Sequence, residues 1–459
     1  MAPTLRPYQA AMLDAARRLP LGPSRRSRVL FQLPTGGGKT ALALALALSH
    51  LGRDTAHRVL WFAHRDELVE QPLGKLRGWS APVAALRPGE PPPGDARIIV
   101  ASIQTVLARG LDVLPRASLV VLDEARHYAD APEWSAIARA VAEGRHVIGL
   151  DATPSGDLRP LFDHLVPGPS VAELTEQGHL VPAVHIGPAE EQTALADDPI
   201  DAYLRHVSPG RALIFCRDVA HAYAVAADAQ RAGVRAACVE GRVTVERRRE
   251  ALAAYLRGEL DVLTNVMCLV EGTDLPSTEG VIVARGVSNE ETWIQIGGRG
   301  LRPFPGKTRC KLVDLLGLTH RFGLLSEPRT WGLDGKGLAP RPANLPPVVT
   351  CPRCLALAPP SAVCPGCGMA TPPRPPPRLS KAALHVIEQD RRARAGRGWE
   401  RWCEIVWEGR RRGWKPQAAP LTYQREFGAF PRWRADHVPP EPGAAPANDG
   451  TSSGQRRTA

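Results

Sequence analysis

The sequence predicts an α/β protein built from two tandem parallel-sheet domains, followed by a small cysteine module and a basic helical extension. Short unbroken apolar runs alternate with helical stretches, and this alternation is set up twice along the chain. After residue 318 it gives way to segments dominated by Gly and Pro, then Cys, then Arg. With 459 residues, 44% of them hydrophobic, the chain is too long for one core and has ample apolar material for several.

The first half supplies Val29-Leu30-Phe31-Gln32-Leu33, Val59-Leu60-Trp61-Phe62, Ile98-Ile99-Val100, Leu119-Val120-Val121-Leu122 and Val147-Ile148-Gly149-Leu150. Runs without polar alternation suit strands covered on both faces, as in a parallel sheet. The second half repeats the pattern at Ala212–Phe215, Ala236–Val239, Val262–Thr264, Gly280–Val283 and Lys311–Asp314, with helices such as Thr244–Arg257 between them. The expected organisation is a nucleotide-binding domain over 1–175, a second domain over 176–318, a linker over 319–349 and a cysteine module over 350–371. A stiff proline run at 372–377 leads to a basic, Trp-rich helical extension over 378–438, with Ser380 as a helix cap, and a disordered tail over 439–459. No short-period repeat is present, which excludes a solenoid.

The formal net charge is +11, so a polyanion is the expected partner. Most of the excess lies between Pro373 and Pro440, with 15 Lys/Arg against 7 Asp/Glu. No apolar run is long enough to span a bilayer, and the opening Met1-Ala2-Pro3-Thr4-Leu5-Arg6 has no apolar signal core; a cytoplasmic protein without a membrane partner is expected.

Pro34-Thr35-Gly36-Gly37-Gly38-Lys39-Thr40 lies between an apolar strand and an Ala/Leu helix. Glycines there let phosphate oxygens reach backbone N–H groups, and the helix N-terminus favours negative charge. In such a loop Lys39 reaches the β- and γ-phosphates of ATP and Thr40 holds Mg²⁺. The pattern is a variant of the Walker loop, with Leu33 where its first glycine would stand. Asp123-Glu124-Ala125-Arg126-His127 follows the strand Leu119–Leu122, so both acids emerge at the same carboxyl edge of the sheet. Asp123 would hold Mg²⁺, and Glu124 would orient and deprotonate the attacking water.

With these motifs in place, the chain resembles superfamily 2 helicases of the DEAD/DEAH-box type from Leu5 to about Leu318. Leu5-Arg6-Pro7-Tyr8-Gln9 resembles the opening segment whose glutamine reads adenine, which implies an ATP contact for Gln9 beside Thr35, Gly36, Gly37, Gly38, Lys39, Thr40 and Asp274. Ala63-His64-Arg65-Asp66-Glu67-Leu68 resembles motif Ia, and Ala101-Ser102-Ile103-Gln104-Thr105 the next nucleic-acid-facing segment. Asp151-Ala152-Thr153-Pro154 resembles motif III, which couples hydrolysis to movement, and Leu213–Arg217 resembles motif IV. Thr264-Asn265 with Glu271-Gly272-Thr273-Asp274-Leu275-Pro276 resembles motif V, and Gln295-Ile296-Gly297-Gly298-Arg299-Gly300-Leu301-Arg302 motif VI. The resemblance implies two RecA-like domains, arginine fingers at Arg299 and Arg302, and coupling through Asp151, Thr153 and Gln295. It also implies nucleic-acid contacts from His64, Arg65, Ser102, Gln104, Thr105, Thr264 and Asn265. One departure is Arg126, where many relatives carry His; the contact made by that position, and a coupling or packing role for His127, stay open.

Cys351-Pro352-Arg353-Cys354 and Cys364-Pro365-Gly366-Cys367 form two C-x₂-C pairs separated by nine residues. Four thiolates at this spacing suit tetrahedral Zn²⁺ in a structural site, with an iron–sulfur cluster as the alternative. Cys216, Cys238, Cys268, Cys310 and Cys403 are scattered and read as ordinary thiols. In the extension, Trp399, Trp402, Trp407, Trp414 and Trp433 are interleaved with arginines; the tryptophans read mainly as a small core and the arginines as a nucleic-acid face. The layout is similar to that of RadD-like DNA-repair helicases. The expected function is an ATP-dependent DNA helicase or translocase. A duplex translocase without unwinding, an RNA helicase and a zinc-ribbon DNA-binding scaffold switched by ATP are the alternatives. A restriction-system motor subunit is less well supported, because the spare sequence carries no convincing nuclease motif.

Overall fold

The computed structural model describes residues 4–20, 26–76, 82–91, 93–241, 243–270, 272–334, 348–351, 353–359, 361, 363–370, 401–413 and 418–427. Glu271, the proline run at 372–377, Ser380, Trp399, Trp414, Trp433 and the tail lie outside the described residues. Residues 1–373 form one compact unit and 374–459 another.

The first sheet contains β1 (Arg28–Gln32), β2 (Val59–Ala63), β3 (Val83–Leu86), β4 (Ile98–Ser102), β5 (Leu119–Asp123), β6 (His146–Asp151) and β7 (His164–Pro167) in the order β3-β4-β2-β5-β6-β1-β7. Every pairing is parallel. The second contains β8 (Ala183–Ile186), β9 (Arg211–Cys216), β10 (Ala236–Val239), β11 (Val262–Asn265), β12 (Thr278–Ala284) and β13 (Cys310–Asp314), ordered β10-β11-β9-β12-β13-β8 and likewise parallel. The apolar runs read from the sequence are these strands. β2, β4 and β5 are buried at every position, as expected for strands covered on both faces.

One large apolar cluster includes Phe31 and Trp61 of the first sheet together with Phe215 and Trp293 of the second half. Separate clusters fill the remaining faces, around Phe62 and Phe162 in one case and Ile214 and Ile282 in the other. Gly149 in β6 marks a close approach, since a Cβ there would lie 2.4 Å from Phe162 Cζ.

Two features differ from the sequence-based expectation. Residues 319–334, read as the start of a linker, are packed. Leu325 N donates to His185 Nε2 at 3.2 Å, Arg329 pairs with Glu290 at 2.7 Å, and Leu158 N donates to Leu333 O at 2.9 Å, which returns the chain to the first half. After the short helix Leu318–Phe322, the rest of the strap has no helical or strand period because its anchors, Leu324, Leu325 and Trp331, are held singly, and an irregular segment leaves no periodic trace. The cysteine module, expected as a segment of its own over 350–371, is built onto the second sheet. Its strands β14 (Val349–Thr350) and β15 (Ala356–Ala358) pair antiparallel, and β15 pairs with β8 through Ala356–Ile186 and Leu357–His185, which extends the second sheet to eight strands.

In the C-terminal unit, helical residues 401–411 and the helix Ala418–Phe427 share a core of Trp402, Cys403, Ile405, Val406, Ala419 and Tyr423. Trp402 meets Tyr423 edge-on at 5.7 Å, while Arg410, Arg411 and Arg412 are exposed.

Candidate ATP site and nucleic-acid cleft

β1 runs into the loop Leu33–Gly38, which opens the helix Lys39–Leu51. Gly36 and Gly38 have φ of +86° and +85°, the left-handed region where a side chain is strained. A Cβ on Gly38 would also lie 2.5 Å from Gln9 Nε2. Gln9 donates to the carbonyls of Gly37 (3.2 Å) and Gly38 (3.1 Å), and the Tyr8 hydroxyl donates to Gly37 O at 2.7 Å, so the opening helix Pro7–Arg18 braces the loop. Thr35 Oγ1 is buried without a hydrogen-bond partner among the described residues, an orphan that suits a polar ligand in the loop.

Asp123 and Glu124 leave the end of β5 facing this loop. Lys39 Nζ lies 3.3 Å from Glu124 Oε1. Burial, reinforced by the neighbouring Glu124 charge and partly offset by Lys39, pushes the Asp123 carboxyl up to about 7, an environment that a bound divalent cation would relieve. Glu124 has φ +49°, and holding a non-glycine residue there costs roughly 1–2 kcal/mol.

The second half supplies Asp274, Arg299 and Arg302 to the same cleft, which has a volume of about 470 Å³ and is also lined by Gln9, Thr35, Lys39, Thr40, Asp123 and Glu124. Arg299 Nη1 and Arg302 Nη1 both donate to Thr273 O at 2.9 Å, and Arg302 lies 2.8 Å from Asp274. The cleft contains residues that motif reading did not single out: Arg6, Gln71 and Lys75. Leu68, Gln71 and Lys75 share one face of the helix Asp66–Leu76, a spacing visible in the sequence once that face is assigned to the cleft. Gln71 Nε2 donates to Gly272 O across the two halves at 2.6 Å, and burial lowers the Lys75 pKa despite nearby Asp274.

The three residues expected to couple the halves are brought together. Asp151 Oδ2 accepts from Arg126 N at 2.7 Å, and its Oδ1 accepts from Thr153 N at 2.8 Å. Gln295 Nε2 donates to Thr153 Oγ1 at 3.0 Å. Arg126 joins this group directly, with Nη1 at 3.2 Å from Glu124, 3.1 Å from Asp151 and 2.9 Å from Thr153.

A second cleft of about 580 Å³ gathers His64, Arg65, Ser102, Gln104 and Thr105 with Arg109 and Arg248. Gln104 donates to His64 O at 2.7 Å, and Arg65 reaches Cys268 O of the second half at 3.3 Å. Thr105 Oγ1 is buried and lacks a hydrogen-bond partner among the described residues. Thr264 and Asn265 require a correction. Both are wholly buried, with Thr264 Oγ1 donating to Ala222 O at 2.8 Å and Asn265 Nδ2 to Ile214 O at 3.2 Å. Their side chains are committed to the interior of a sheet covered on both faces and do not reach the cleft. Asn265 also accepts from Leu269 N at 3.4 Å, shaping the turn that brings Cys268 to the cleft.

The four clustered cysteine sulfurs all lie within 4.8 Å of one another, with Cys351–Cys367 at 3.8 Å and Cys354–Cys364 at 3.6 Å. Tetrahedral zinc with Zn–S bonds of about 2.3 Å requires sulfurs about 3.8 Å apart, so the set fits zinc. Backbone N–H groups of Cys354 and Arg353 pull the Cys351 thiol down to about 6, whereas burial and the neighbouring sulfurs push Cys354 up to about 12, so without a cation the cluster favours a thiolate at Cys351 and a thiol at Cys354.

Residues 2–156 match the family described as Type III restriction enzyme, res subunit, and residues 196–303 match the helicase conserved C-terminal domain. The order of these two matches is the order of the two sheets whose residues meet in the cleft. The chain is a superfamily 2 helicase. This helicase is 23% identical over 355 residues to a 51.5 kDa protein of a Lactococcus phage, covering 72% of the chain and 75% of the relative. It is 27% identical over 367 residues to the mitochondrial ATP-dependent helicase irc3 of Schizosaccharomyces pombe, again across 72% of the chain but only 60% of that relative's length. In fold it is similar to a Dbp5 variant of Saccharomyces cerevisiae solved with RNA and ADP BeF3, with a TM-score of 0.55 and 17% identity over 70% of this chain and 93% of that one. Membership makes the protein an ATP-dependent enzyme of the helicase class, for which ATP, usually with Mg²⁺, is the nucleotide. Among the described residues, no helix is long and apolar enough to cross a membrane.

Proposed function

We propose that this helicase couples ATP hydrolysis to movement along DNA, in DNA repair or recombination, and that it acts in the cytoplasm. The observation that carries the reading is the shared cleft: the loop with Lys39, the acids Asp123 and Glu124, and Arg299 and Arg302 from the other half all line one space. A nucleotide held there draws the halves together, and its hydrolysis lets them part. The domain limits follow as 1–175 and 176–318, with the ribbon at 350–371 and the basic extension at 378–438.

In this reading Lys39 moves from Glu124 to the phosphates, Thr40 and Asp123 hold the cation, and Glu124 orients the water and takes its proton. Bound Mg²⁺ would neutralise phosphate charge. Arg299 and Arg302 leave Thr273 O to stabilise charge on the transferring phosphoryl group, the work of an arginine finger. Gln9, placed against Gly37 and Gly38, positions the loop as well as meeting the base, and Asp274 orients Arg302. Asp151, Thr153 and Gln295 carry closure between the halves. His64, Arg65, Ser102, Gln104 and Thr105 line the second cleft and would follow the polynucleotide backbone in a largely sequence-independent, salt-sensitive manner. The four-cysteine site takes zinc and secures the end of the second sheet.

The test is ATP hydrolysis by the full chain alone and with single-stranded DNA, duplex DNA, forked DNA or RNA, alongside Lys39→Ala and Glu124→Gln. Stimulation by DNA forms that both substitutions abolish supports the reading. Stimulation by RNA alone replaces DNA with RNA as the track, and no stimulation by any polynucleotide favours a DNA-binding scaffold switched by ATP.

A further inference from the structure

Arg126 is placed where one donor group must choose between partners. Its Nη1 carries two hydrogens, yet three acceptors lie within hydrogen-bond reach: Glu124 Oε2 at 3.2 Å, Asp151 Oδ1 at 3.1 Å and Thr153 Oγ1 at 2.9 Å. The other Glu124 oxygen faces Lys39 at 3.3 Å. Both carboxylate oxygens of the water-orienting residue are therefore engaged by cations. ATP draws Lys39 away, whereas Arg126 lies on the Asp151 side of Glu124 and is not among the residues lining the nucleotide cleft.

The other terminal nitrogen of the Arg126 guanidinium leads towards the second cleft. Its Nη2 is 3.4 Å from His127 Nε2, and the His127 ring packs on the His64 ring with centroids 4.1 Å apart. Trp134 backs both rings, at 6.0 and 6.5 Å. His64 lines the second cleft, and its carbonyl accepts from Gln104, whose own side-chain oxygen accepts from Ser102 Oγ at 2.9 Å. A phosphate that engages Gln104 and Ser102 competes for the groups that hold His64.

We propose that Arg126 is a positioning residue that restrains Glu124 in the nucleic-acid-free enzyme, and that polynucleotide in the second cleft, acting through the His64–His127 ring pair, shifts Arg126 onto Asp151 and Thr153 and releases Glu124 to the water. The proposal rests on the reading of Glu124 given above. It makes the departure from the usual fourth residue of the motif a nucleic-acid sensor, because histidine lacks the second arm that touches both Glu124 and His127 at once. Thr153 receives Arg126 on the same hydroxyl that Gln295 grips, so release of Glu124 and docking of the second half share one acceptor.

The test compares ATP turnover of the full chain with and without oligo(dT) and a DNA duplex, together with oligo(dT) affinity, for Arg126→Gln and His127→Ala. Arg126→Gln is expected to raise turnover without nucleic acid by about 3- to 10-fold and to bring the stimulation ratio close to one. His127→Ala is expected to keep oligo(dT) affinity within about twofold while the stimulation ratio falls by about tenfold. Parental unstimulated turnover and ratio in Arg126→Gln, or a full ratio in His127→Ala, overturns the proposal, as does a parental enzyme that neither polynucleotide stimulates. If Arg126→Gln fails to fold because buried carboxylates are left unpaired, His127→Ala decides. Glu124→Gln run in parallel separates the two failures: if it retains turnover, the role of Glu124 falls, whereas an inactive Glu124→Gln beside parental behaviour at 126 and 127 removes the relay alone.

Discussion

Gln295 of the second half donates its side-chain amide to the hydroxyl of Thr153 in the first, at 3.0 Å and out of contact with water. That hydroxyl also accepts from Arg126. Thr153→Val keeps the shape and removes the acceptor, which deprives the buried Gln295 amide of this bond while Arg126 Nη1 keeps Glu124 and Asp151 in reach. The expected loss is about 1–3 kcal/mol of stability by urea unfolding and about tenfold in ATP turnover, with the KM for ATP within about twofold.

Arg299→Ala separates chemistry from binding. Its guanidinium is buried on the cleft, and its Nη1 donates to Thr273 O at 2.9 Å. ATP turnover is expected to fall by about 10³-fold while affinity for a fluorescent ATP analogue stays within about threefold, as for arginine fingers in phosphoryl transfer. A comparable loss of nucleotide affinity would make Arg299 a binding residue instead.

The buried side chains of β11 and the exposed arginine of the second cleft should respond differently. Arg109→Ala is expected to weaken oligo(dT) binding and to reduce the slope of log affinity against log salt by about 0.7, the loss of one phosphate contact to a single strand. Thr264→Val is expected to leave that slope unchanged and to lower thermal stability, because Thr264 Oγ1 bonds Ala222 O inside the sheet. Fluorescence anisotropy over a salt series, with melting curves, reads both.

Removing metal should be felt in the second sheet. β15 hydrogen-bonds to β8, so loss of the four-cysteine cluster exposes the edge beside His185 and Ile186. About one zinc per chain is expected by elemental analysis, and Cys364→Ser or a strong chelator should lower the melting temperature by several degrees. A module that merely hangs from the domain would lose zinc without moving the melt.

His185 predicts acid sensitivity. Burial depresses its pKa to about 3, with Arg329 adding to the effect, from an ordinary value near 6.5. The native state stays unprotonated where the unfolded chain takes up a proton, so stability is complete above about pH 6.5 and is lost as pH falls towards the native pKa, by up to about 1.4 kcal/mol per unit. His50 and His146, also depressed chiefly by burial, act in the same direction. His185→Gln should flatten the decline in urea-unfolding free energy between pH 6.5 and 5; an unchanged slope would assign it to other groups.

The strands were legible because buried parallel strands must be apolar at successive positions, and β2, β4 and β5 show that pattern without interruption. That the glycine loop and the acids after β5 meet in one cleft was legible because both motifs directly follow strands of one parallel sheet, whose carboxyl ends share an edge. Thr264 and Asn265 were misread because a polar pair at a strand end looks alike whether it faces a ligand or bonds its own sheet. Gln71, Lys75 and Arg109 were missed because nothing local to a helix states which of its faces meets a cleft.

By itself, the sequence determined the two parallel sheets, the placement of Lys39, Asp123 and Glu124 directly after strands whose ends meet at one cleft, and a cluster of four cysteines, since each depends on residue type and short-range order. Only the tertiary structure decided that Arg126 touches Glu124, Asp151 and Thr153, that His127 packs on His64, that residues 319–334 return to the first half, and that the cysteine module completes the second sheet. These contacts join residues from separate elements, in most cases far apart along the chain. Such contacts are set by how whole sheets and helices pack, and a linear pattern carries no record of that packing.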